Sequence, residues 1–133
     1  MNPKECKYTS EHEWICPESG DKGKIGITNY AQSQLGDIVF LDLPTSGTQV
    51  EKSQKMGEIE SLKAVSGLFA PVSGQVLEVN QTAIDEPNLV NEDPYGDGWL
   101  VRLELSQPSE PEALMNSDEY NKFEAKLSQE GSK

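Results

Sequence analysis

Gly57-Glu58-Ile59-Glu60-Ser61-Leu62-Lys63-Ala64-Val65-Ser66 sets a single lysine in a tight connection between two β segments, Lys55–Ser61 before it and Leu68–Phe69 after it. The neighbours of the lysine are small or apolar, and the acids stand two or more positions before it. Outward from this hairpin, glycine and proline cut the chain up to residue 105 into short segments, the punctuation of a β-sandwich or barrel. Lys24-Ile25-Gly26-Ile27 is a β run, and Asp37–Leu43 is a longer one bounded by Gly36 and Pro44. Between them, Thr28 is placed to cap a short helix through Tyr30, Ala31 and Leu35, closed by Gly36. Gln75–Val79 and Trp99–Leu105 alternate apolar and polar residues as half-buried strands do.

A short internal repeat brackets the lysine. Gly36-Asp37-Ile38-Val39-Phe40-Leu41-Asp42 matches Gly74-Gln75-Val76-Leu77-Glu78-Val79-Asn80 as Gly-polar-β-x-x-β-Asx. Each copy is followed by an apolar residue, Val50 and then Val90, and by a glycine entering another strand, Gly57 and then Gly98. Two copies do not make a solenoid. They predict two similar sheets related by a pseudo-twofold, with Lys63 at the crossover turn. After Leu105 the pattern changes to a proline-bearing link, Ser106–Glu112, and then to Leu114, Met115, Tyr120, Phe123 and Leu127 at helical spacing, with Ser117 or Asp118 as a cap. The expected organisation is a β-domain with an N-terminal extension over 1–105 and a helical appendage over 106–133. The appendage is expected to pack on that domain through Tyr120, Phe123 and Leu127.

Composition excludes several functions. Among 133 residues, 11 Lys and Arg face 23 Asp and Glu, for a net charge of −12. Nucleic acid and anionic membrane surfaces both need a cationic face, so neither is an expected partner. At 35% hydrophobic and 26% charged the chain has the balance of a folded domain rather than a disordered one. Its apolar runs are too short to span a bilayer. The opening Met-Asn-Pro-Lys-Glu-Cys-Lys lacks a signal or transit pattern, so the expected location is cytoplasmic. In that compartment Cys6 and Cys16 are expected as two reduced thiols. With one His and two Cys, a zinc site would need carboxylates to complete it. No Ser-His-Asp or Cys-His arrangement can be proposed without His12, and neither GxxxxGK[ST] nor GxGxxG occurs. Composition leans away from an enzyme.

From the residues alone, Lys63 is either a solvated turn lysine or an amine displayed for modification, its four-carbon stem adding reach to whatever is attached. A wider set of motifs decides between them. Tyr8-Thr9-Ser10-Glu11-His12-Glu13-Trp14, Gly26-Ile27-Thr28-Asn29-Tyr30-Ala31-Gln32 with Leu35-Gly36-Asp37-Ile38-Val39, and Glu60-Ser61-Leu62-Lys63-Ala64-Val65-Ser66 occur in order, followed by Ala70-Pro71-Val72-Ser73-Gly74, Asn80, Asn88-Leu89-Val90-Asn91 and Pro94-Tyr95-Gly96-Asp97-Gly98-Trp99. Over nearly its whole length the chain resembles the H-protein family of the glycine cleavage system.

The resemblance implies a mostly β, lipoyl/biotinyl-like barrel-sandwich hybrid of two antiparallel sheets, with a short internal helix and a C-terminal helical appendage. It implies lipoic acid in amide linkage to Lys63 and a non-catalytic carrier role. The carrier would take an aminomethyl group from the pyridoxal-phosphate glycine decarboxylase to a tetrahydrofolate-dependent aminomethyltransferase. Dihydrolipoamide dehydrogenase would then reoxidise it, and a lipoate ligase or lipoyl transferase would attach the arm. Glu13 matches an acid lining the cleft where the arm rests in the family, and Glu11 stands where a small hydroxyl residue is common. Family members usually carry an acid directly after the serine of the lysine motif, and this chain has Gly67. Biotin carriers typically flank their lysine with Met, unlike Leu62 and Ala64, and lipoyl domains of 2-oxoacid dehydrogenases lack the His-Glu-Trp opening. The alternative readings are an H-like protein that relays or stores lipoate, and an unmodified interaction module. His12, Trp99 and Phe40 read as packing residues, the last two as core or half-core aromatics. Asp93 and Asp97 fit turn chemistry better than a calcium loop.

Overall fold

The computed structural model describes residues 2–131, with side chains described as far as Leu127. Its strands are β1 (Lys7–Tyr8), β2 (Glu13–Pro17), β3 (Lys22–Ile27), β4 (Ile38–Asp42), β5 (Gln49–Val50), β6 (Lys55–Ser61), β7 (Val65–Phe69), β8 (Gly74–Val79) and β9 (Val101–Leu105). They form a six-stranded sheet, β1-β2-β3-β9-β8-β5, and a three-stranded sheet, β4-β6-β7, with every ladder antiparallel. The expected barrel-sandwich hybrid of two antiparallel sheets is the fold observed, but the sheets are not similar in size. The N-terminal segment supplies two strands to one of them, and no repeat signal marked those strands.

The main core lies between the sheets, with Ile25, Ile27, Val76, Val101 and Leu103 from one meeting Ile38, Leu41, Ile59 and Leu68 from the other. Most of these positions follow the period of two along a strand. Ile38 and Leu41 do not, being three apart and both buried. A register shift between Ile38 and Phe40 against β6 reverses the pleat and turns Leu41 inward. The second copy of the repeat shifts at the equivalent place, between Val76 and Glu78 against β9. The Gly-polar-β-x-x-β spacing is therefore the sequence mark of a bulge. It also corrects one expectation: Phe40 is 52% exposed rather than core, because the bulge hands its inward place to Leu41.

Helix α1 (Asn29–Leu35) starts and stops where expected. Thr28 Oγ1 accepts the Ala31 N–H at 3.2 Å, and Gly36 closes the helix at φ +81°, where a side chain would be strained. Two further short helices, α2 (Gln81–Asp85) and α3 (Asn88–Glu92), lie between β8 and β9 and rest against β4. Asn80 caps α2 through the Ala83 N–H. Both helices are too short for apolar periodicity to reveal them.

A second cluster, built from Cys6, Tyr8, Trp14 and Tyr120, lies where β1 and β2 meet α4 (Ser117–Gly131). Tyr8 and Tyr120 stack with ring centroids 4.8 Å apart and planes 13° from parallel. The Tyr120 hydroxyl lies 2.7 Å from both Thr28 Oγ1 and His12 Nδ1, joining the C-terminal helix to the cap of α1 and to the β1–β2 turn. Leu114 and Met115 are not helical as their spacing suggested. Residues 110–113 form a 3-10 turn, and Met115 pairs with Tyr8 through backbone bonds in both directions. The cap of α4 is Asn116 rather than Ser117 or Asp118: its side chain accepts the Glu119 N–H at 2.9 Å, and Glu119 returns a bond to the Asn116 N–H.

Cys6 and Cys16 form a disulfide, which corrects the expectation of reduced thiols. Lys7 pairs with Ile15 and Tyr8 with Trp14, so one step further the ladder sets Cys6 opposite Cys16, their Cα atoms 4.2 Å apart. Spacing in the sequence carried no register, and the pairing rests on it. Among the described residues no helix is long and apolar enough to cross a membrane.

Tyr120→Phe keeps the stacked ring and removes the hydroxyl that Thr28 and His12 share in this buried position. The expected result is a loss of about 1–3 kcal/mol in urea unfolding, with the dependence on denaturant unchanged.

Candidate functional site

Lys63 stands at the tip between β6 and β7. The Ser61 N–H donates to Ala64 O at 2.8 Å and closes the turn. Ser61 Oγ accepts the N–H groups of Lys63 and Ala64 at 3.2 and 3.1 Å, so a largely buried hydroxyl staples the turn from within. The Leu62 N–H donates to Asp37 O at 3.0 Å, tying the tip to the segment before β4. The Lys63 side chain is exposed and runs beside Gly36, where an added Cβ would lie 3.4 Å from its Cε. Among the described residues no carboxylate pairs with its ammonium. Val39, Phe40, Leu62 and Val65, between 49% and 76% exposed, give this end of the three-stranded sheet an apolar surface. The arrangement displays one primary amine on a shaped, partly apolar tip.

From Val65, strand β7 runs about 13 Å at ordinary strand rise to Phe69, at a cavity of about 460 Å³. Tyr8, Glu11, Glu13, Lys52, Phe69 and Met115 are among its lining residues. Both acids singled out in the sequence thus reach one cavity, but in different states. Glu13 is only 2% exposed. Burial pushes its carboxyl up to about 7, although Thr9 Oγ1 donates to Oε1 at 2.7 Å and the Phe69 N–H to Oε2 at 3.2 Å, and both bonds favour the charged form. Glu11 is exposed, its N–H donating to Thr9 Oγ1 at 3.2 Å. Gly67 is not in the cavity lining. The Phe69 ring lies over it, Cε2 and Cζ 3.0 Å from where a Cβ would begin, so an aromatic edge occupies the start of the path an acid would take.

Sequence reasoning missed Thr9 and Phe69 as partners of Glu13 and Ser61 as the staple of the turn. Only the Ser-x-Lys spacing of the last left a local trace. His12 is at φ +70° with its ring against Tyr30, Tyr120 and Phe123, and burial lowers its pKa; it is a packing residue, as expected. Asp93 serves a turn, its carboxylate accepting the Asp97 N–H at 2.9 Å. Among the described residues no group of three or more His, Cys, Asp or Glu is placed to hold a metal ion.

The family model described as "Glycine cleavage H-protein" matches residues 6–127. A glycine cleavage system H protein of Carboxydothermus hydrogenoformans is 49% identical over 129 residues, covering 97% of this chain and 96% of its own. That of Halalkalibacterium halodurans is 52% identical over 121 residues, covering 91% and 94%. The crystal structure of a glycine cleavage system H protein from Mycobacterium marinum superposes with a TM-score of 0.85 at 39% identity, covering 93% of this chain and 99% of the other.

The state of Glu13 has a measurable consequence for the protein without ligand. Unfolded, the carboxyl loses its proton near the ordinary 4.5; folded, it holds it to about 7. Between those values the unfolded chain binds fewer protons, so the contribution of Glu13 to stability falls as pH rises through the window. His12, lowered by burial, has the opposite slope, so only the difference between parent and variant isolates Glu13. Glu13→Gln is expected to gain on the parent between about pH 4.5 and 7, by on the order of 3 kcal/mol, and to run parallel to it above that range. Urea unfolding of both proteins across the window measures it.

Proposed function

The chain belongs to the glycine cleavage H-protein family, and we propose that it is a lipoyl carrier acylated at Lys63 rather than a catalyst. One observation carries the assignment to Lys63: the amine stands exposed on a turn whose backbone is stapled by Ser61 and tied to Asp37. The residues fit the group. Gly36 leaves the side chain its path, and no ion pair among the described residues has to break before the amine reacts. When bound, lipoate would supply a dithiolane whose S–S bond opens to accept the aminomethyl group left by glycine decarboxylation; the dithiol that remains after the aminomethyltransferase takes that group would be closed again by dihydrolipoamide dehydrogenase.

The chain's own residues do the rest. The hairpin presents Lys63 first to a lipoate ligase or lipoyl transferase and then to the three enzymes in turn, and a stapled turn presents it the same way each time. The apolar tip surface excludes water on docking, while the net charge of −12 steers the carrier toward cationic rims. Glu13 is the carboxylate best placed to pair with a cationic amine entering the cavity, and such a cation would draw its raised pKa back down. Tyr8, Phe69 and Met115 wall that cavity against water, with Glu11 as the more exposed acid. Gly67 supplies no second acid, and the Phe69 ring that lies over it adds an apolar wall.

Lys63→Arg separates the reading from its alternatives, because a guanidinium does not form the amide. The parent, treated with a lipoate ligase, lipoate and ATP, is expected to gain one lipoyl group by intact mass, mapped to Lys63, and to support glycine–bicarbonate exchange by a glycine decarboxylase. The variant is expected to gain no mass and support only background exchange, with stability within about 0.5 kcal/mol because the side chain is a surface one. Lipoylated parent without exchange activity would favour lipoate relay, and mapping to another lysine would remove Lys63 from its role.

A further inference from the structure

The helix pair between β8 and β9 brings Asn91, on α3, against Gly36-Asp37-Ile38, and uses the whole of its side-chain amide. Asn91 Nδ2 donates to Gly36 O and to Gln32 Oε1, each at 2.9 Å. Its Oδ1 accepts the Ile38 N–H at 3.0 Å. The amide therefore grips the backbone on both sides of Asp37. Between the two gripped groups, Asp37 O accepts the Leu62 N–H at 3.0 Å, and Leu62 is bonded directly to Lys63. Gly36 is also the residue beside which the Lys63 side chain runs. A continuous set of contacts leads from Asn91 to the lysine.

The tip needs support of this kind. Leu62, Lys63, Ala64 and Val65 are all exposed, and the Ser61 bonds are internal to the turn. They fix its shape but not its direction. Direction is left to the β4–β6 and β6–β7 ladders and to the Leu62–Asp37 bond; Ile38, which pairs with Ser61 at the base of the tip, and Asp37 both lie in the backbone that Asn91 grips.

We propose that Asn91 is a positioning residue for Lys63, holding Gly36-Asp37-Ile38 so that the hairpin keeps one direction when an enzyme docks on it. The proposal rests on the reading of Lys63 as the lipoylated lysine. Without the grip the tip samples several directions, and only the fraction that matches the enzyme's surface docks productively. The apparent KM then rises by the inverse of that fraction, while kcat, a property of the docked complex, stays as it was.

The test uses the full chain as acceptor substrate for a lipoate ligase with lipoate and ATP, with initial rates measured against acceptor concentration. Asn91→Ala is expected to raise KM about tenfold with kcat within about twofold of the parent. Asn80→Ala is the control, since Asn80 also makes three side-chain bonds, to the Ala83 N–H at 3.3 Å and to the carbonyls of Asp97 and Trp99 at 2.8 Å each, none of them to the lysine platform. It is expected to lower stability comparably and leave KM unchanged. If Asn91→Ala does not fold, Asn91→Asp replaces it with the same expected rise, keeping the acceptor for Ile38 and losing both donors. An unchanged KM in the folded Asn91 variant, or an equal rise in Asn80→Ala, overturns the positioning role. Absence of lipoate on Lys63 in the parent overturns the Lys63 reading instead, and the modified-peptide map distinguishes the two failures.

Discussion

The bulge between Ile38 and Phe40 is the constraint on which the surroundings of Lys63 depend. A regular strand there would bury Ile38 and Phe40 and turn Leu41 to solvent. The extra residue instead buries Ile38 and Leu41 three apart, anchoring the edge of the small sheet in the core. Val39 and Phe40 are left beside the lysine tip as an apolar surface. The same shift in β8 shows that the device belongs to the repeat and not to the site. One copy has a lysine hairpin beside it, and the other leads into the α2–α3 pair that supports that hairpin.

The cavity near Phe69 shows how burial and hydrogen bonding oppose each other at one carboxyl. Thr9 and the Phe69 amide solvate Glu13 as an anion, yet exclusion from water outweighs them and holds the proton on to about pH 7. A group in this balance responds strongly to a nearby positive charge. Glu11, exposed and a short distance along the same turn, lacks the burial that creates the response. The two acids are therefore not interchangeable, although the sequence offered them side by side.

The second cluster closes the molecule through contacts between its two ends. Tyr120 stacks on Tyr8 and shares its hydroxyl with Thr28 and His12, so one side chain joins the C-terminal helix, the N-terminal hairpin and the cap of α1. The Cys6–Cys16 disulfide staples the two N-terminal strands below it. In the chain-entropy account a cross-link closing a loop of this length contributes about 2–3 kcal/mol, a sizeable share of the stability of a small domain.

Much that depended on local pattern was legible in the sequence, although the Asn116 cap of α4 and the Ser61 staple were not. The Thr28 cap and Gly36 stop of α1, the alternation of β9, and the Lys63 hairpin follow from residue chemistry within a few positions, and the ordered motifs gave the family. What escaped was register and distance along the chain. Phe40 was misplaced because a bulge changes the face of a strand without changing its composition. The disulfide needed Lys7 set against Ile15, the grip of Asn91 needed α3 folded back over β4, and the depth of Glu13 needed Phe69 brought to it from 56 positions away. Pairings of that kind form only when the two sheets close on a common core, so the sequence by itself determined which residue is displayed, and the tertiary structure alone decided what holds it and what shelters its surroundings.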